Sequence, residues 1–307
     1  MTARPTLVVL AAGMARRYGG CKPLAPVGPM GQAVIDLTAG DALGNGFGDV
    51  VLVVGPSTGP AIEYHVRRCW PDQVQVSFAQ QTVPLGTAHA VLCARSHVPD
   101  DHSFAVVNAD DLYGPRSFET LAAHLSTNTD HALVAFHLED TIATGGAVTR
   151  GTVEVGPDGH HLSGIAERRF VSRHVDGSFA SEDGIEPRNL DPATPVSVNL
   201  WGFHPSMWQA LEHAVCSVHP HIGSDGTVKI SDDTDIAHEE VLLPEVVAAM
   251  VAPGATGSGD STKVAVLQGS GRCLGVTHAE DLPIVRAQVE ALVGRGERPE
   301  SPWAFLR

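Results

Sequence analysis

The sequence predicts an α/β protein, with a mixed, mostly parallel doubly wound sheet carrying an antiparallel insert, on three observations. From Leu7 to about Phe136, short β-branched runs alternate with segments of helical spacing, as when parallel strands are joined by crossover helices. Beyond residue 137, Gly, His, Asp and Pro punctuate short alternating runs, the texture of antiparallel strands. The 307 residues are 43% hydrophobic and 18% charged, with 32 Gly and 21 Pro, which fits a globular chain and excludes disordered or collagen-like polymers.

Taken in order, the predicted strands of the first half are Leu7–Leu10, Val50–Val54, Val74–Phe78, Phe104–Val107 and Ala132–Phe136. Between them, Ile62, Val66 and Cys69 make one helical face, and Phe118, Leu121, Ala122 and Leu125 make another. The insert takes its strands from Gly151–Val155, Leu162–Ala166 and Val196–Phe203. Helical spacing returns at Glu239–Met250, Pro253–Thr262 reads as a surface loop, and a strand Lys263–Leu267 precedes an amphipathic helix of about Ala279–Val293. The expected organisation is one unit over 1–307, with halves at 1–136 and 137–262 and a closing strand and helix at 263–307; no fixed-period repeat points to a solenoid. The exposed apolar face expected of the terminal helix suits a homodimer.

Lys and Arg number 20 against 35 Asp and Glu, a net charge of −15. Such a surface repels phosphate backbones, so nucleic acid and anionic membranes are not expected partners. The five Cys are odd in number and lack any C-x-x-C, which argues against a disulfide framework or a structural zinc and for a reducing cytoplasm. The apolar run Leu7–Ala12 is too short for a membrane span and runs on toward Arg16 and Arg17 rather than a cleavage site, so no secretion signal is expected.

Ligands of doubly wound sheets sit beyond the carboxyl ends of the strands, and four constellations stand at strand ends. The first strand runs into Ala11–Leu24 (AAGMARRYGGCKPL), where small residues let main-chain N–H groups approach an anion and Arg17 and Lys22 can reach its oxygens; a polyphosphate is the guest this suits. In Val106–Gly114 (VVNADDLYG), the adjacent Asp110 and Asp111 at the end of a buried strand call for a compensating cation such as Mg²⁺, or one acid caps the following helix. Gln80–His89 (QQTVPLGTAH) follows a strand: the Gln81 amide suits a nucleobase edge and Gly86 would let a base lie flat, or the segment is an ordinary turn. Ile165–Arg169 (IAERR) sets an acid suited to hydroxyls beside a cation suited to phosphate, or is simply surface charge.

Together and in this order, the four constellations resemble the sugar-nucleotide pyrophosphorylases, the nucleoside-triphosphate:sugar-1-phosphate nucleotidyltransferases. LAAGMARRYGGCKPLAPVGP, PLGTAHAV and VVNADDLYG look like that family's signature loop, base-binding segment and metal-bearing strand, and VSVNLWGF (196–203) is similar to a strand bordering the sugar pocket. The resemblance implies a nucleotide-binding sheet with a sugar-binding insert, and attack by a sugar-phosphate oxygen on the α-phosphorus of a nucleoside triphosphate with loss of pyrophosphate. It implies that Arg17 and Lys22 hold the phosphates and Asp110 holds Mg²⁺. Main-chain groups of Ala12 and Gly13 would cradle the nucleotide, with Gln81, Gly86 and Thr87 at the base. Gly151, Glu167, Arg168 and Asn199 would contact the acceptor, Arg168 at its phosphate; a sugar-like cyclitol 1-phosphate suits this site as well as a sugar 1-phosphate.

Three positions depart from the family pattern: Ala15 replaces a loop glycine, Arg16 doubles the motif arginine, and Gly275 occupies the place of a second metal-binding aspartate, for which Glu240, Glu280 or Asp281 are candidate substitutes. The rival enzyme is a glycosyltransferase of related fold, whose usual D-x-D is missing around Asp110. The rival non-enzyme is a nucleotide-sensing module with a drifted loop. Of the remaining signals, the 16 His are scattered, and His160, His161, His219 and His221 are expected in solvated turns. Ser231–Asp235 lacks the Gly and spaced Glu of a calcium loop, and the Cys are expected to pack as small apolar residues, Cys21 alone standing near a reactive environment.

Overall fold

A computed structural model describes residues 3–13, 20–142, 146–229, 239–252, 262–276 and 280–306. Its first half runs β1 (Thr6–Ala11), α1 (Val34–Gly44), β2 (Val50–Val54), α2 (Gly59–Cys69), β3 (Val76–Gln80), α3 (Thr87–Cys93), β4 (Phe104–Asn108), β5 (Asp111–Leu112), α4 (Pro115–Thr127) and β6 (His131–His137). There follow β7 (Val148–Val155), β8 (Leu162–Arg173), β9 (Phe179–Ser181), β10 (Asn189–Leu190), β11 (Pro195–Phe203), α5 (Met207–Val218), α6 (Leu243–Val251), β12 (Val264–Gln268), β13 (Leu274–Gly275) and α7 (Asp281–Gly294).

β1, β2 and β4 are continuous apolar runs because both faces of the sheet are covered. Leu7, Val9 and Ala11 pack with Ile35 of α1, Ile62 of α2 and Phe118 of α4, whereas Val8, Val51 and Val106 pack on the opposite face with Val91 of α3, Leu211 of α5 and Val247 of α6. β3, β2, β1 and β4 lie side by side and parallel, in the order that right-handed crossovers generate. The expected α/β class is therefore the observed one.

The sheet continues from β4 through β11, β7, β8 and β9 to β10, all antiparallel. Val196–Phe203, expected within the insert, is instead a middle strand of the main sheet, and β6 pairs antiparallel to β11 and parallel to β12 rather than joining the parallel block. The third strand begins two residues later than expected because the Val74 N–H is spent in a turn on the Pro71 carbonyl. Of the Cys, 93 and 273 are buried, 21 and 216 half-buried, and Cys69 is exposed rather than part of the helical face; all five are free thiols. His219 is buried with Nε2 on the Glu239 carbonyl rather than in a solvated turn, whereas His161 is partly exposed and bridges Asp158 and Asp130.

The terminal helix also departs from expectation. Val285 and Val289 of α7 are buried against Val27, Leu37 and Leu274, with Leu282 and Leu292 packed beside them, so its apolar stripe is used within the chain. Ala279, most of Pro253–Thr262 and Ser231–Asp235 lie outside the described residues, as does the loop segment Met14–Gly19. Among the described residues no helix is long and apolar enough to cross a membrane.

Candidate active site

The carboxyl ends of β1 and β4 bring the loop cation and the strand-end acid together. After β1, Ala12 is half-buried and Gly13 exposed, with open space where a Gly13 side chain would stand, so main chain is accessible there. Arg17, Arg16 and Ala15 lie outside the described residues. The chain then makes a tight 3-10 turn over Lys22–Leu24, closed by the Leu24 N–H on the Cys21 carbonyl and the Ala25 N–H on the Lys22 carbonyl. That turn directs Lys22 to Asp110, with Nζ 3.5 Å from Oδ2. Burial raises the Cys21 thiol pKa, against thiolate reactivity.

Asp110 and Asp111 are held by the ribbon of β5 and β13: Asp111 pairs with Gly275, and the Val276 N–H donates to the Asp110 carbonyl. The Asn108 amide donates to Asp111 Oδ2 at 3.0 Å, and Thr38 Oγ1 donates to the Asp111 carbonyl. Burial, followed by the adjacent Asp110 charge, pushes the Asp111 carboxyl up to about 6. Of these two causes, the Asp110 charge that favours a proton there also favours a cation. Among the described residues no three His, Cys, Asp or Glu form a metal cluster, and Gly275 beside Asp111 brings no side chain. A hard divalent ion that keeps waters and substrate phosphates needs only one or two carboxylates, so Asp110 fits Mg²⁺ in that form.

A neighbouring cavity of about 330 Å³ collects Gly151, Glu167 and Asn199 with Asn108 and Asp111. Asn199 takes a left-handed backbone (φ 62°) where the β11 register to β6 shifts between Ser197 and Trp201. Its side chain is fixed by donating to Asn108 Oδ1 at 3.4 Å and accepting from Trp201 Nε1 at 3.1 Å. Tyr113, which sequence reasoning did not single out, sits buried beneath this junction; its hydroxyl accepts the Asn108 N–H and donates to the Val198 carbonyl.

Arg168 is 3% exposed, is absent from the cavity lining, and bonds Asp183 (Nε 2.8 Å from Oδ2) and the carbonyls of Ile185 and Pro187, which ties the β9–β10 connection to β8. Alternation along a strand carries the signal: Glu167 and Arg168 are neighbours on β8 and point to opposite faces. Arg150 and Glu245 line the cavity and were not anticipated; Arg150 is anchored by Thr141, at 3.0 Å to Oγ1 and 2.6 Å to the carbonyl, and by the Thr149 carbonyl at 2.8 Å. The positive charge of Arg150 also acts to lower the Asp111 pKa.

The expected base-reading segment is engaged internally. Gln81 is buried, and its amide nitrogen donates to the Gly86 carbonyl at 3.0 Å and lies 3.2 Å from His89 Nδ1. Gly86 has φ 95°, and a Cβ there would stand 2.4 Å from the Val241 carbonyl oxygen, so the space where a base was expected to lie flat belongs to Val241. Thr87 Oγ1 accepts the Leu243 N–H at 2.8 Å and thereby caps α6. These residues tie α3 to α6, a role invisible without the segment around Val241.

Residues 7–217 match the MobA-like NTP transferase domain family. That range includes Lys22, Asp110, Glu167 and Asn199, and ends before α6, β12, β13 and α7. The chain is also similar to two bifunctional GlmU proteins. That of Thermosipho africanus is 26% identical over 155 residues, covering 49% of this chain and 32% of the relative. That of Bradyrhizobium sp. (strain ORS 278) is 32% identical over 177 residues, covering 56% and 38%. The chain thus spans about a third of the length of these curated relatives.

Proposed function

We propose, on the premise that the chain belongs to the MobA-like NTP transferase domain family, that it is a nucleotidyltransferase. Its reaction joins a nucleoside triphosphate to a sugar 1-phosphate or a sugar-like cyclitol 1-phosphate and releases pyrophosphate. One observation carries this reading: the Lys22 ammonium and the Asp110 carboxylate, from different strand ends, meet 3.5 Å apart beside a polar cavity.

In this reading the acceptor's phosphate oxygen forms a bond to the α-phosphorus, the bond to the α–β bridging oxygen breaks, and pyrophosphate leaves with that electron pair. Catalysis then rests on alignment and charge neutralisation. Main-chain groups of Ala12 and Gly13 cradle the nucleotide phosphates, and Arg17 and Lys22 offset the charge that accumulates on the departing oxygens. Asp110 would hold Mg²⁺, which supplies further neutralisation of phosphate charge when bound. Gly151, Glu167 and Asn199 line a cavity of about 330 Å³, within the range that encloses one small polar ligand. Glu167 accepts from its hydroxyls. The five free thiols suit a reducing cytoplasm.

The test is pyrophosphate release across a matrix of nucleoside triphosphates and sugar or cyclitol 1-phosphates with Mg²⁺, in wild type, Asp110→Ala and Lys22→Ala. Release confined to one substrate pair and lost in both variants is the expected result. Silence across the matrix, or release that survives Asp110→Ala, overturns the reading.

A further inference from the structure

Between the start of α4, the turn before β13 and the end of α7 lies a cavity of about 680 Å³ that shares no lining residue with the acceptor cavity. In a chain of net charge −15, four arginines line it, Arg116, Arg272, Arg295 and Arg298, against one carboxylate, Glu297. Arg295 is paired with Glu297, and Arg272 donates to the Ile142 carbonyl at 3.3 Å, but Arg116 makes no ion pair among the described residues. The Arg116 charge nonetheless helps to hold the Glu297 carboxyl below its usual range, behind the larger effect of Arg295, which places Arg116 near the other groups of the cavity.

Arg298 provides the second observation. It is 3% exposed, one of its nitrogens donates to the buried Asp41, and its Nε and Nη1 have no partner. Gln288 Oε1, from the same lining, is buried and unpartnered too. Buried donors and acceptors are almost always satisfied: the Arg298 N–H groups call for an acceptor such as a phosphate oxygen, and Gln288 Oε1 calls for a donor such as a hydroxyl. A planar guanidinium offers paired N–H donors matched to phosphate oxygens. Leu274 and Leu292 give the cavity an apolar wall as well, and its volume exceeds what a lone ion requires.

We propose that this cavity is a second binding site, for a phosphorylated small molecule with an organic body. The acidic surface disfavours a polyanionic nucleic acid as occupant. The proposal does not depend on the nucleotidyltransferase reading, since it uses none of that site's residues.

The test is calorimetric titration of the full chain with inorganic phosphate. Wild type is expected to bind it saturably, Arg116→Ala/Arg272→Ala to bind it about tenfold more weakly or worse, and Arg67→Ala, which removes an exposed charge of α2 outside the cavity, to bind it as wild type does. Arg116 and Arg272 are exposed, so the double variant is expected to fold, which an unfolding curve checks. Absence of saturable binding, or binding that Arg67→Ala weakens as much as the arginine pair does, overturns the site. So does a phosphate-soaked crystal in which only water joins Arg298 to Gln288.

Discussion

Gly86→Ala separates a structural glycine from a ligand-binding one. At Gly86, φ 95° and ψ 178° lie in a region open essentially to glycine alone, so any other residue costs about 1–3 kcal/mol in strain. The added methyl would also stand 2.4 Å from the Val241 oxygen and 2.7 Å from its nitrogen, both backbone atoms that cannot rotate away. Moving that segment breaks the Ala88 N–H bond to the Val241 carbonyl (3.0 Å) and the Val241 N–H bond to the Leu85 carbonyl (2.9 Å), at about 1 kcal/mol each. The sum is roughly 3–5 kcal/mol, a large share of the ~5–15 kcal/mol that holds a domain folded. Urea unfolding followed by tryptophan fluorescence measures it directly. If Gly86→Ala unfolds within about 0.5 kcal/mol of wild type while nucleotide binding weakens, the Val241 contact is not what requires glycine, and the base-platform role is restored.

Three further outcomes follow from the same structure. Arg168→Ala should lower the melting temperature by several degrees, because Asp183, whose carboxyl Arg168 holds well below its usual range, loses its partner; the acceptor KM should not change while the variant is folded. Burial, then the His204 charge, holds the His131 pKa down to about 4, and its Nδ1 accepts the His204 N–H. The unfolded chain therefore binds this proton from pH ~6.5 downward while the folded chain resists it, so stability falls with pH across that window by about 3 kcal/mol, and His131→Asn should flatten the slope of urea midpoint against pH. Glu167→Gln should raise the KM for the acceptor by about tenfold and leave the KM for the triphosphate unchanged, as steady-state kinetics would show.

The strands were legible because a run such as VVLVV at Val50–Val54 is covered on both faces and so has no polar positions to disguise it. Lys22 and Asp110 stand out in the sequence for a related reason: Asp110 directly follows a readable strand, Lys22 lies in the loop that follows another, and strand ends converge in this class of sheet. The partners of Arg168, Asp183 and the carbonyls of Ile185 and Pro187, are not legible because they lie across a hairpin whose register no local pattern fixes. Gly86 is expected to let a base lie flat, and the group packed close to it is Val241, far along the chain. Arg150, Tyr113 and Glu245 stayed hidden because their roles arise only when β7, β11 and α6 assemble around them.

Strand β11 changes neighbours partway along its length. Val196 and Ser197 pair with β7, whereas Trp201–Phe203 pairs with β4, and left-handed Asn199 stands at the changeover. The two ends of one strand therefore answer to different constraints during divergence. Substitutions in β7 and β8, which line the far pocket wall, can reshape it while Trp201–Phe203 keeps the pairing with β4 that positions Asn108. Trp201–Phe203, paired with β4 and β6, has no such freedom, and drift there would be felt at Asn108 and at the cavity wall at once.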